Sequence, residues 1–456
     1  MGSRMIAGRS GTYGAAMIGS HRAKQIRPPC GCHGRQNPSI ARNRLMRQLL
    51  ILLATFVSAS AAQGSSLSDL RAWLRQAPLN DERFAELPKQ AFASESLTKS
   101  QAKQAADLIW AARSEQLREE RKAEMDKREI VLGDKKMPFW FKTFGKKPAT
   151  GHSLFISMHG GGGAPPAVNT QQYENQKRLY QPAEGIYLVP RAPTDTWNLW
   201  HQGHIDAFFD RIITNMVIFH DVNPDRVYIM GYSAGGDGVY QLAPRMADRL
   251  AAAAMMAGHP NETKPDGLRN IGFTLHMGAL DGAYRRNQIA AEWKEKLAAL
   301  RKSDPSGYQH HIEIHPGRAH WMNLEDRVAV PWMAKFTRNR FPSRIVWLQD
   351  DVTHQRFYWL RTSQTGGRPR IVAEVRDNSI SIPESDVQTL TVLLHDDFVS
   401  LDKPIRIVSG EAELFDGSVE RTIATIAQSI AERDEPGAAV YASVSVKLPA
   451  NADGSK

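Results

Sequence analysis

Short, mostly apolar runs recur through the middle of the chain, at 154–158, 186–189, 227–230, 251–257, 273–277 and 312–315. Between them the pattern lengthens to a helical period, most clearly at 230–251 and 285–300. Unbroken apolar strands alternating with helices predict a parallel sheet covered on both faces. Two more strands are expected ahead of this series, at 130–132 and 139–141, around the turn Gly133-Asp134-Lys135.

The flanks read differently. In 66–127, Leu67, Leu70, Trp73 and Leu74 fall at helical spacing. From Ser100 a long run sets Ala, Leu and Ile on one side and Glu, Lys and Arg on the other, and its charge-rich end is expected as a solvated face. After 341 the strand–helix alternation stops. Strands are expected at 345–347, 357–360, 371–375, 390–394, 405–408 and 440–446, with one helix at 422–433. Several alternate apolar and polar residues, as a sheet with one buried face should. The expected divisions are therefore a leader (1–62), a helical segment (66–127), an α/β domain (128–341) and a C-terminal β-sandwich-like domain (342–450).

Charge changes the picture only at the N-terminus. The formal net charge is +10. Residues 1–62 hold nine Lys/Arg and no Asp or Glu, so the remainder carries about +1. A near-neutral body gives no electrostatic reason to expect nucleic acid. Within the leader, Arg42, Arg44 and Arg47 precede the apolar run 49–57, and Ser58-Ala59-Ser60-Ala61-Ala62 follows it. That is the anatomy of a secretory signal cleaved near Ala61 or Ala62, and the run is too short to span a bilayer. Met46 stands directly before this signal and is a candidate start. The expected location is secreted or periplasmic, with no stable membrane insertion after cleavage. Both cysteines, Cys30 and Cys32, lie in the leader, so the body has no thiol nucleophile.

Four motifs carry candidate chemistry. Gly231-Tyr232-Ser233-Ala234-Gly235-Gly236 follows an expected strand and opens an expected helix, the setting of a nucleophile elbow. His159-Gly160-Gly161-Gly162-Gly163 follows another strand. Its glycines let backbone N–H groups approach a developing oxyanion, and Gly160 or Gly161 with Ala234 are the expected donors. The loop lacks the Lys-Ser/Thr ending of a phosphate-binding loop. Asp281, after Gly278-Ala279-Leu280, and His320, after Gly317-Arg318-Ala319, each follow a later strand. The order Ser233, Asp281, His320 is the one this constellation needs. His159 is read as structural, and Asp237, Asp266 and Asp326 as surface or capping residues. Trp200, His201 and Trp321 are candidates to line the substrate site. His310, His311 and His315 lie on one expected strand, where only alternate residues share a face, and no paired carboxylate spacing is near, so neither a metal nor any other cofactor is expected.

From about 154 to 340 the chain resembles the poly(3-hydroxybutyrate) depolymerase-like and feruloyl/acetylxylan esterase-like branch of the α/β-hydrolases. The matching residues are the His159 loop, Asn223-Pro224-Asp225-Arg226-Val227-Tyr228 before the Ser233 elbow, Gly278 to Asp281, and Gly317 to Trp321. The resemblance implies an α/β-hydrolase fold, a triad of Ser233, Asp281 and His320, and a small-molecule or polymeric ester as substrate. The Ser-Ala-Gly-Gly elbow is also similar to that of prolyl-oligopeptidase-type peptidases. A third reading is a catalytically inactive binding protein. Two features depart from the branch: the cysteine-free body and the β-rich C-terminal region.

Overall fold

The computed structural model describes residues 66–449. The leader, with its expected signal and both cysteines, lies outside the described residues. Helix α1 (66–76) buries Leu67, Leu70 and Trp73. Helix α2 (Asp81–Glu86) starts at Asn80, whose side chain accepts from the Arg83 amide. Helix α3 (Lys99–Lys127) opens with a reciprocal cap between Thr98 and Gln101, and it stops where Arg128 turns left-handed, φ 52°. Its charged side is not simply solvated, as the sequence pattern suggested. The Arg113 and Arg121 side chains are only 8% and 6% exposed, and both bind Asp434. A buried guanidinium needs a carboxylate partner, and the C-terminal region supplies this one.

The hairpin of β1 (Glu129–Leu132) and β2 (Lys135–Phe144) follows. Then come β3 (His152–Met158), α4 (Pro166–Gln176), β4 (Gly185–Pro190), α5 (His204–His220), β5 (Val222–Tyr232) and α6 (Ala234–Arg245). The series ends with β6 (Ala252–Met256), β7 (Gly272–Gly278), α7 (Arg286–Ser303), β8 (His310–His315) and α8 (Ala329–Met333). All eight strands join one sheet in the order β1-β2-β4-β3-β5-β6-β7-β8. The β1–β2 and β2–β4 pairs are antiparallel and the others parallel. Strands β4, β6 and β7 are buried at every position, which is why they read as continuous apolar runs. The chain steps from β3 to β4 on one side, then to β5 on the other. Loops leaving the C-terminal ends of β3 and β5 therefore diverge and open a crevice between them.

Beyond α8 lie β9 (Arg344–Leu348), β10 (Arg356–Phe357), β11 (Leu360–Arg361), β12 (Arg370–Arg376), β13 (Ser379–Ser385), β14 (Thr389–Leu394), β15 (Ile405–Ser409), β16 (Ala412–Gly417), α9 (Ile423–Arg433) and β17 (Ala442–Lys447). They form a four-stranded sheet, β10-β11-β14-β17, and a five-stranded sheet, β16-β15-β13-β12-β9. Strand β17 alternates buried and exposed residues throughout. The run 357–360 is not one strand. It is a tight hairpin whose reversal Tyr358 takes at φ 52°. All four of its side chains are buried, so the hydrophobic pattern of a turn here imitates that of a strand. Strands β13 and β16, rich in Ser, Glu and Gly, carried too weak an apolar signal to be expected.

One hydrophobic core runs from α1 and α3 through one face of the large sheet into both C-terminal sheets. An ion network crosses the same boundary. Glu435, just after α9, binds the guanidinium groups of Arg249 and Arg338, and Arg338 also holds Asp225 of β5 at 2.8 Å. Among the described residues, no helix is long and apolar enough to cross a membrane.

Candidate active site

Strand β5 delivers Ser233 into a turn with no room for side chains. A Cβ on Gly231 would lie 2.2 Å from the Gly235 carbonyl oxygen, and one on Gly235 would lie 2.2 Å from that of Met158. Only glycine lets strand, turn and helix come so close. Ser233 itself holds φ 57° and ψ −120°, a conformation that a residue with a Cβ adopts at a cost. Its amide donates to the Met256 carbonyl at 2.9 Å, and its carbonyl receives the Asp237 amide at 3.0 Å. The strained turn is thus tied to β6 and starts α6, whose N-terminal dipole favours negative charge beside the Ser233 hydroxyl.

The loops after β7 and β8 bring two more side chains to this point. His320 Nε2 lies 2.9 Å from Ser233 Oγ, and His320 Nδ1 lies 2.6 Å from Asp281 Oδ2. Asp281 is 3% exposed, whereas the His320 side chain is 43% exposed toward the cleft. An ionised carboxylate only accepts, so Nδ1 carries the imidazole proton and Nε2 is free to accept from the serine hydroxyl. Tyr232, which sequence reasoning passed over, steadies the histidine. Its hydroxyl donates to the His320 carbonyl at 2.7 Å and accepts from the Met322 amide at 2.9 Å. The three sequence-selected side chains therefore meet, although 87 residues separate Ser233 from His320.

The glycine loop after β3 lies against the elbow. A Cβ on Gly160 would stand 3.2 Å from that of Ser233. The amides of Gly160, Gly161 and Ala234 have no hydrogen-bond partner among the described residues. The Gly162 amide, by contrast, is taken by Asn169 Oδ1 at 3.0 Å. Buried Asn169 also donates to the Gly162 carbonyl at 2.9 Å and to Asp195 at 2.8 Å, pinning the loop from below. It too was missed, because an isolated Asn in a helix gives no pattern. His159 plays the structural part expected of it. It is fully buried, Nε2 accepts from the Ala192 amide at 3.1 Å, and Nδ1 donates to the Gly160 carbonyl at 2.6 Å. Burial pushes its pKa down to about 4, so it stays neutral. Asn169→Ala is expected to lower kcat by roughly 10–100-fold with little change in KM, because the loop loses its pin while the cleft walls remain. A steady-state comparison on one ester checks this. An unchanged kcat would remove Asn169 from the account.

A cleft of about 660 Å³ opens over Ser233, lined by Gly160, Gly161, Val168, Leu179, Tyr232, His320 and Trp321 among others. Trp321 is half-exposed there, as expected of a lining residue. Trp200 is not. It is wholly buried, and its indole N–H donates to the His159 carbonyl at 2.9 Å, so it backs the glycine loop instead. His201 also lies off this cleft; it packs edge-on to Trp197, with ring centroids 5.5 Å apart. Asp326, read as a surface or capping residue, is fully buried and accepts from the Tyr180 hydroxyl. Asp266 binds Arg370 at 3.3 Å. Asp237 receives the His259 amide at 2.6 Å, and burial raises its carboxyl to about 6.

The strand order, with Ser233 on a strained turn after β5, defines an α/β-hydrolase fold. No protein-family model matches the chain. It is similar to a curated protein, the bifunctional acetylxylan esterase/xylanase of Neocallimastix patriciarum, at 33% identity over 112 residues. The match covers 24% of this chain and spans 16% of that protein's length. Similar solved structures include a thermostable esterase, at 16% identity, 46% of this chain, 62% of that chain and TM-score 0.35. Another is a mutant feruloyl esterase module from Clostridium thermocellum complexed with sinapinate, at 15% identity, 46% of this chain, 86% of that chain and TM-score 0.34.

Proposed function

We propose that the protein is an exported serine hydrolase that cleaves carboxylic esters through an acyl-enzyme on Ser233. The observation that carries this reading is the hydrogen-bonded line Ser233–His320–Asp281, at 2.9 and 2.6 Å, beside free backbone amides. His320 Nε2 takes the Ser233 proton as Oγ attacks the ester carbonyl. Asp281 holds the imidazole in the required tautomer and balances its charge. The carbonyl oxygen becomes an oxyanion that receives N–H bonds from Ala234 and from Gly160 or Gly161. The intermediate collapses, and the alcohol leaves with the proton from His320. Water then attacks the acyl-enzyme, with His320 as base, and frees the acid and Ser233.

A polymeric or glycan-linked ester is favoured by the rim. Five of the seven exposed large apolar side chains among the described residues are Val168, Trp197, Leu280, Tyr284 and Trp321. Val168 and Trp321 line the cleft, Trp197 lies against the glycine loop, and Leu280 and Tyr284 flank Asp281 in sequence. Exposed apolar side chains beside the cleft suit an extended substrate better than a small solute. The similar protein of Neocallimastix patriciarum, an acetylxylan esterase/xylanase, points the same way. Export rests on the leader's basic, apolar and small-residue succession, and N-terminal sequencing of the mature protein tests it. For the chemistry, a fluorophosphonate probe should label Ser233, and p-nitrophenyl and acetylated-glycan esters should turn over. Turnover of peptide amides alone would make it a peptidase. Absence of labelling would leave a binding protein.

A further inference from the structure

Away from the cleft, the edge of the large sheet carries a second cluster of donors. In the parallel β7–β8 register, Thr274 pairs with His311, His276 with Glu313 and Gly278 with His315. Strand alternation therefore sets Thr274, His276, His311, Glu313 and His315 on one face. His276 and His315 are buried, while the Glu313 side chain is 45% exposed. His276 Nδ1 lies 3.2 Å from His315 Nε2 and 3.9 Å from Glu313 Oε2. One ligand atom from each of the three residues falls within 4.8 Å of the other two. The remaining ring nitrogens are already engaged. His276 Nε2 meets Thr274 Oγ1 at 3.0 Å. His315 Nδ1 faces Glu325 Oε2 at 3.4 Å and stands 3.8 Å from Glu313 Oε1, and Arg318 Nε holds the other Glu325 oxygen at 2.8 Å.

We propose that His276, Glu313 and His315 bind a divalent cation of the zinc class. Metal–nitrogen bonds of about 2.0 Å in tetrahedral geometry put two ligand nitrogens about 3.3 Å apart, close to the separation seen here. Metal-binding imidazoles are characteristically oriented by a partner on the second ring nitrogen, and both rings have one. Glu313 contributes charge and opens the fourth position to solvent. Along β8 alone the histidines make no metal-ligand spacing. The third ligand, His276, comes from the neighbouring strand, which spacing does not reveal. The cation braces β7 to β8, the strands whose loops carry Asp281 and His320. It takes no part in the ester chemistry.

Metal-stripped full-length protein, titrated with Co²⁺ as a visible stand-in for zinc, tests this. The wild-type chain should take up one more equivalent than Glu313→Gln or His276→Gln, with visible absorption of low-coordinate cobalt that zinc abolishes. Glu313→Gln should weaken this uptake by at least about tenfold. Any binding by Cys30, Cys32 and His33 of the leader is common to all the chains and drops out of the comparison. If His276→Gln does not fold, half-exposed Glu313→Gln still decides. Ser233→Ala should bind cobalt as the wild type does, which separates this result from the fate of the hydrolase reading. Equal uptake by wild type and Glu313→Gln overturns the proposal and leaves a direct hydrogen bond between the two rings.

Discussion

Ser233→Ala is expected to lower kcat on a simple ester by about 10⁴–10⁶-fold, while the protein stays folded and KM changes little. Without Oγ there is no acyl-enzyme, so the reaction must proceed by direct attack of water. The glycine-loop amides still face the carbonyl oxygen and His320 can still act as base, so some rate above background survives. Burst kinetics should vanish together with probe labelling. The small size of the change protects the fold, because Ala234 already shows that a Cβ fits next in the chain, and alanine keeps Ser233's own Cβ. Steady-state and pre-steady-state rates on p-nitrophenyl acetate, with circular dichroism as the folding control, measure it. A variant retaining more than a tenth of the wild-type kcat would refute the serine mechanism.

Glu435→Ala should destabilise the protein by about 3–5 kcal/mol, read from the urea midpoint at unchanged m-value. The Glu435, Arg338 and Arg249 side chains are 3%, 4% and 1% exposed. Truncating the carboxylate takes from Arg338 and Arg249 their shared buried partner and leaves them Asp225 and the half-exposed Asp210, which costs more than a lost surface pair. The pH dependence gives a second signature. The neighbouring arginines, Arg338 first, outweigh burial and hold the Glu435 carboxyl at about 2, below its ordinary 4.5. Between those values the unfolded chain binds more protons than the folded one, so the stabilisation is full above about 4.5 and fades as pH falls through 2. The gap between wild type and variant should therefore narrow below pH 4.5. A gap constant from pH 7 to pH 2 would show that packing, not charge, accounts for the loss.

The middle of the large sheet was legible because β4, β6 and β7 are buried on both faces and so appear as unbroken apolar runs. The candidate site was legible because Ser233, Asp281 and His320 each stand past an expected strand. The 66–127 segment shows the limit: an Arg on a charged helix looks solvated until Asp434, more than 300 residues on, is placed beside it. Trp200 shows another. Its place in the chain suggested the cleft, yet the fold turned its ring inward under the glycine loop. Tyr358 marks a third case, where burial on both sides of a turn mimicked an extended strand. In each the missing information was a contact between distant segments, which local pattern does not encode.

The bare approach of Gly235 to the Met158 carbonyl has a practical consequence. The gap between nucleophile and glycine loop is set there by main-chain thickness alone, with no side chain acting as spacer. Val168 and Leu179 stand on the cleft wall outside that joint, so the shape offered to an acyl group can be recut there without disturbing the reacting atoms. A scaffold so divided suits engineering toward bulkier or slimmer esters by exchange of those two walls.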